Sequence, residues 1–191
     1  MMQIDENGWL DSASFIPSLN YDDRPENENI SLLVIHNISL PPDDFTGNGV
    51  TELFTNQINP DAHPYYQTLV GLKVSTHFFI RRDGTIIQFV SCNKRAWHAG
   101  VSCWQGKERC NDFSIGIELE GSDTICFTDK QYTQLIALTQ SLLKRFPITD
   151  IAGHCHIAPE RKTDPGPCFD WQRYFSELAK LENAFNQANT I

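Results

Sequence analysis

The run Ile30-Ser-Leu-Leu-Val-Ile-His-Asn-Ile38 is almost continuously apolar, rich in β-branched side chains, and shows no regular alternation with polar residues. A strand of that composition is buried on both faces, so other elements must cover it above and below. The second constraint is Phe113–Glu120, which does alternate. Phe113, Ile115, Ile117 and Leu119 share one face, and Ser114, Gly116, Glu118 and Glu120 share the other. Two further runs, Val74–Ile80 and Thr85–Val90, are joined by Arg81-Arg82-Asp83-Gly84. Asp-Gly between such runs predicts a β-hairpin.

Helices are predicted around these strands. A short one spans Val50–Ile58, between proline-rich loops. Thr128-Asp-Lys-Gln131 has the spacing of a capping box and opens a helix whose apolar face holds Tyr132, Leu135, Ile136, Leu142, Leu143 and Phe146. A last helix, capped by Asp170, runs through Trp171, Tyr174, Phe175, Leu178, Leu181 and Phe185. Strands sheltered by helices, with a hairpin among them, give an α/β (α+β) fold with a central mixed sheet. At 191 residues the chain suits one domain, 1–191, with a polar segment, 1–29, packed on the body through Trp9 and Leu10.

The net charge of -9, from 24 acidic and 15 basic side chains, argues against a nucleic-acid partner, which requires a basic face. The N-terminus carries no basic stretch leading into an apolar run, and no segment approaches the roughly 18 apolar residues of a membrane span. A cytoplasmic protein without membrane attachment, working as a monomer, is the expectation. Six cysteines are scattered and none forms a Cys-x-x-Cys pair, so reduced thiols are expected and a thiolate zinc site is not.

Chemistry concentrates in Gly153–Pro167, where His154, His156, Lys162 and Asp164 fall among Pro159, Pro165 and Pro167. The prolines argue against a helix, so the stretch reads as a strand, Ile151–Cys155, entering a rigid loop. Rigid loops at strand ends hold metal ligands at little entropic cost. A catalytic zinc takes three protein ligands, commonly imidazole and carboxylate, and His36, His154 and Asp164 can supply them. Such a zinc polarises a carbonyl and acidifies water, which suits amide hydrolysis. Each residue alone has a plainer reading: a histidine on an apolar strand is usually core, and an Asp before proline is usually a turn residue. By strand alternation His156 would share a face with His154 and could compete as a ligand or touch substrate.

Several stretches, taken together, resemble the zinc N-acetylmuramoyl-L-alanine amidases, whose fold is shared with the peptidoglycan recognition proteins. They are Leu33-Val-Ile-His-Asn-Ile-Ser, Ser75-Thr-His-Phe-Phe-Ile-Arg-Arg-Asp-Gly, Ala96-Trp-His-Ala-Gly, Asn111-Asp-Phe-Ser-Ile-Gly-Ile-Glu, Gly153-His and Arg161-Lys-Thr-Asp-Pro-Gly-Pro. The resemblance implies one zinc per chain on His36, His154 and Asp164, with Glu118 as general base and Lys162 stabilising the oxyanion. It implies a muropeptide substrate, cut between N-acetylmuramic acid (in its 1,6-anhydro form) and L-alanine during cytoplasmic peptidoglycan recycling. Lys73, His77, Trp97, His98 and Arg109 are the residues expected to meet substrate or support the site. Lys73 stands where family members carry arginine. Two other readings stay open: a non-catalytic module that binds peptidoglycan fragments on the same fold, and a thiol amidase using Cys110 or Cys155.

Overall fold

The computed structural model describes residues 2–188, with the side chains of 181–188 outside the described set, so the expected packing of Leu181 and Phe185 is too. The described residues form ten strands: β1 Ser14–Phe15, β2 Tyr21–Asp22, β3 Leu32–Ile38, β4 Phe78–Ile80, β5 Ile86–Gln88, β6 Arg95–Ala96, β7 Cys103–Trp104, β8 Lys107–Glu108, β9 Ser114–Glu120 and β10 Asp150–Gly153. The helices are α1 Gly49–Phe54, α2 Asp129–Arg145, α3 His154–Ile157 and α4 Trp171–Ala188. Six strands form one sheet in the order β1-β5-β4-β9-β3-β10, and β2-β6 and β7-β8 make two small ladders. Only β4 and β5 pair antiparallel within the large sheet, through the Asp83-Gly84 turn, so the sheet is mixed as expected.

Both faces of β3 are covered, as its composition requires. Leu33 and Ile35 join Phe78, Ile80, Ile115 and Ile117 in the larger core, which packs under Leu135, Leu138 and Leu142 of α2 and Tyr174 of α4. Leu32 and Val34 face the other way, with Ala99, Phe113, Ala152 and Ile157. The alternation puts His36 on that second face. The parallel register sets Glu118 of β9 directly beside it. Two groups able to do chemistry thus emerge side by side near the C-terminal ends of adjacent parallel strands, where open α/β sheets form their crevices.

The capping box of α2 is complete, with Gln131 N–H on Thr128 Oγ1 at 3.2 Å and Thr128 N–H on Gln131 Oε1 at 3.0 Å. Asp170 caps α4, accepting from Arg173 N–H at 2.8 Å. The N-terminal segment docks with Leu10 buried, and Arg24 ties it further. That guanidinium donates to the carbonyls of Cys92, Asn111, Asp112 and Ser114, the closest at 2.8 Å. Burial lowers its pKa to about 10.

Some expectations need correction. The predicted strand Ile151–Cys155 ends at Gly153, and His154–Ile157 is a single helical turn. The prolines fall after that turn and so do not forbid it, and four residues are too few to show a helical period. His156 is therefore turned away from His154. Its Nδ1 accepts from Gly153 N–H at 2.9 Å, and its ring lies 5.4 Å from that of Trp171. The helix expected over Val50–Ile58 stops at Phe54. A 3-10 helix, Pro64–Leu69, occupies what the sequence shows as loop. The long loop after Trp97 carries the β7-β8 hairpin.

Candidate metal centre

His36 Nδ1, His154 Nδ1 and Asp164 Oδ2 meet at the C-terminal ends of β3 and β10. The Nδ1 atoms are 2.9 Å apart, and Oδ2 lies 3.0 Å from the first and 3.1 Å from the second. All three residues are at most 9% exposed. Their elements explain the convergence. His36 sits late in β3 on its cleft-facing side, His154 opens the turn after β10, and Asp164 returns because its carbonyl accepts from Cys155 N–H at 2.8 Å.

The far side of each ring shows which lone pairs point inward. His154 Nε2 lies 3.1 Å from the Ala99 carbonyl, which can only accept, so the proton of a neutral ring is at Nε2 and Nδ1 is a bare lone pair. His36 Nε2 lies 3.0 Å from His98 Nδ1, and His98 Nε2 lies 3.2 Å from Ser114 Oγ. With the hydroxyl as final acceptor, this chain also presents His36 Nδ1 as a lone pair. Burial pulls His36 down to about 4, so the ring is neutral at ordinary pH. Two imidazole lone pairs and a carboxylate crowded within about 3 Å repel one another without a cation. The donor set fits a divalent metal, and among the described residues this is the group of three or more such side chains that could hold one.

Glu118 stands beside the cluster, with Oε1 3.9 Å from His36 Nδ1 and Oε2 buried without a partner. Burial, and then the neighbouring Asp164 charge, push its carboxyl well above the ordinary range, against the pull of Lys162. A carboxyl of raised proton affinity is a stronger base than an ordinary glutamate, as general-base work requires. Lys162 lines the same cleft, a cavity of about 520 Å³ whose other walls include Tyr65, Leu69, Leu72, Trp97 and Asn37.

The remaining candidates separate. Trp97 and His98 both line the cleft, but His98 spends its ring nitrogens on His36 and Ser114. His77 is fully buried, accepting from Gly116 N–H at Nδ1 and facing the Lys94 carbonyl with Nε2, so it does not reach the cleft. Lys73 and Arg109 are exposed and outside the cleft walls, and Arg109 pairs with Asp112 at 3.2 Å. Cys110 and Cys155 are also outside them, and burial raises both thiols, which disfavours a thiolate nucleophile. Ser114 and the Ala99 carbonyl are not among the residues expected from the sequence; the signal for the carbonyl is the Ala96-Trp-His-Ala-Gly motif, whose consecutive residues 98 and 99 serve one histidine each.

The same architecture occurs in known proteins. The 1,6-anhydro-N-acetylmuramyl-L-alanine amidase AmpD of Citrobacter freundii is 60% identical over 175 residues, covering 91% of this chain and 93% of its own. The crystal structure of a selenomethionine AmpD derivative superposes with a TM-score of 0.89 at 58% identity, covering 92% of this chain and 98% of that one. AmiD of E. coli, solved with its substrate anhydro-N-acetylmuramic acid-L-Ala-D-γ-Glu-L-Lys, gives a TM-score of 0.58 at 28% identity, covering 93% of this chain and 65% of that one. Residues 26–167 match the N-acetylmuramoyl-L-alanine amidase family, and with relatives this similar along most of its length the chain belongs to that family.

Proposed function

We propose that the cleft hydrolyses the amide between N-acetylmuramic acid, in its 1,6-anhydro form, and the L-alanine of a muropeptide, in cytoplasmic peptidoglycan recycling. The convergence of three lone-pair donors beside a carboxyl of raised proton affinity carries this reading. His36, His154 and Asp164 would hold one zinc ion, which supplies Lewis-acid polarisation of the scissile carbonyl and acidification of water. Glu118 takes the proton from the attacking water and returns it to the alanine nitrogen as the C–N bond breaks. Lys162 offsets the charge that develops on the carbonyl oxygen in a site partly closed to solvent. His98 and the Ala99 carbonyl hold the two imidazoles in the ligating tautomer. Trp97, Tyr65 and Leu69 form an apolar wall for the sugar and its lactyl arm. Lys73 and Arg109, outside that wall, meet only stem-peptide carboxylates that extend beyond it.

The activity that the C. freundii relative's name states supports the substrate assignment. A non-catalytic binder has no use for Glu118 held unpartnered beside the cluster. The test is mass spectrometry of products from mixed anhydro and reducing muropeptides. Free peptide and free anhydromuramyl sugar are expected. Intact substrate bound to the protein would favour the recognition module.

A further inference from the structure

The loop 98–101 orients both histidines, and its own backbone is clamped from two sides. Asn111 Oδ1 accepts the amides of His98 and Ala99 at 3.1 and 2.8 Å. From the opposite direction Arg161 Nη2 donates to the carbonyls of Ala99 and Val101 at 2.9 and 2.7 Å. Gly100 lies between those carbonyls at φ +59, where a Cβ would sit 3.2 Å from the guanidinium, so a larger residue would be both strained and crowded. The Ala99 oxygen is therefore shared, with one donor from Arg161 and the other from His154 Nε2.

That sharing has a chemical consequence. His154 Nδ1 lies 3.1 Å from Asp164 Oδ2, so the opposite tautomer, with the proton on Nδ1, has a good acceptor waiting. In that tautomer the ring cannot ligate through Nδ1. A fixed Ala99 carbonyl makes Nε2–H the better choice. We propose that Arg161 is a positioning residue that, through the Ala99 carbonyl, selects the metal-ligating tautomer and ring orientation of His154. The same side chain ties the segment carrying Lys162 and Asp164 to the loop serving both imidazoles, so ligands and orienting groups move together. The inference rests on reading the cluster as a metal site.

The test compares the full-length wild type with Arg161→Met and Arg161→Lys. Zinc affinity is read by competition with a chromophoric chelator, and the His154 ring by imidazole ¹⁵N shifts in the metal-free protein. Arg161→Met should bind zinc about 10-fold more weakly, in the range found for residues that orient metal ligands. Its His154 signal should move from the Nε2–H form toward a mixture. Arg161→Lys, whose ammonium can still donate to Ala99, should recover most of both. An Arg161→Met protein with zinc affinity within about twofold of wild type and an unchanged imidazole spectrum would overturn the proposal. So would a variant that loses stability while His154 keeps its tautomer, because Arg161 would then be a staple of the fold only. A wild type that fails to take up zinc would instead overturn the metal reading, and the metal-free spectra would still decide what Arg161 does.

Discussion

At the scale of single residues, the proposed mechanism divides the cleft's side chains into groups that would hold metal and groups that would move charge. His36→Ala or Asp164→Ala should lose zinc and activity together, since either change leaves two donors of three. Lys162→Ala should keep its zinc, because Lys162 is not among the converging donors, and lose kcat by roughly 10²–10³, the range for deleting one oxyanion stabiliser. Metal analysis beside steady-state kinetics checks both, and a Lys162→Ala enzyme with normal kcat would remove that lysine from the chemistry. That His36, Glu118, His154, Lys162 and Asp164 lie around one cleft was legible in the sequence, because they sit in motifs whose order and spacing match a family. His156 shows the limit: strand alternation aimed it at the site, and a one-turn helix too short to carry a period turns it onto Trp171.

At the scale of elements, β9 is the strand on which the site depends. Gly116 leaves room for the His98 ring to lie against it, since a Cβ there would fall 2.6 Å from His98 Cγ. Gly116→Ala should push His98 off its bond to His36, weakening zinc binding and costing about 1–3 kcal/mol of stability, as overpacking does. A chelator titration and a denaturant midpoint measure the two effects. The N-terminal segment was readable only in part. Leu10 showed as an anchor because it is apolar, whereas Arg24, in a polar turn-rich stretch, gave no sign that it would bond the carbonyls of Cys92, Asn111, Asp112 and Ser114. Arg24→Met, which strips those carbonyls of a charged donor, should cost about 3 kcal/mol, read from the same denaturant midpoint.

At the scale of the whole molecule, pH acts through buried imidazoles. His77 has its proton affinity lowered by burial, to about 3, and its Nδ1 faces an amide N–H, so the folded state resists protonation. The unfolded chain takes up that proton below its ordinary value near 6.5, so stability is full above that pH and falls as pH drops toward 3. Denaturation of metal-free protein should show a lower midpoint at pH 5 than at pH 7.5, with part of the difference absent in His77→Gln. A flat profile would contradict this. The mixed sheet and its helices were readable from hydrophobic period, because α2 and α4 are long and β3 and β9 are strongly patterned. The loops that wall the cleft were not, since their shape is set by hydrogen bonds between distant residues such as Asn111 and the 98–99 amides. The claim on which the rest stands is that three side chains from β3, the turn after β10 and the following loop hold one catalytic zinc. Stripping the protein with a chelator and restoring zinc stepwise, while following amide cleavage, tests it most directly. Activity should vanish and return linearly up to one zinc per chain; full activity in metal-free protein would contradict the account.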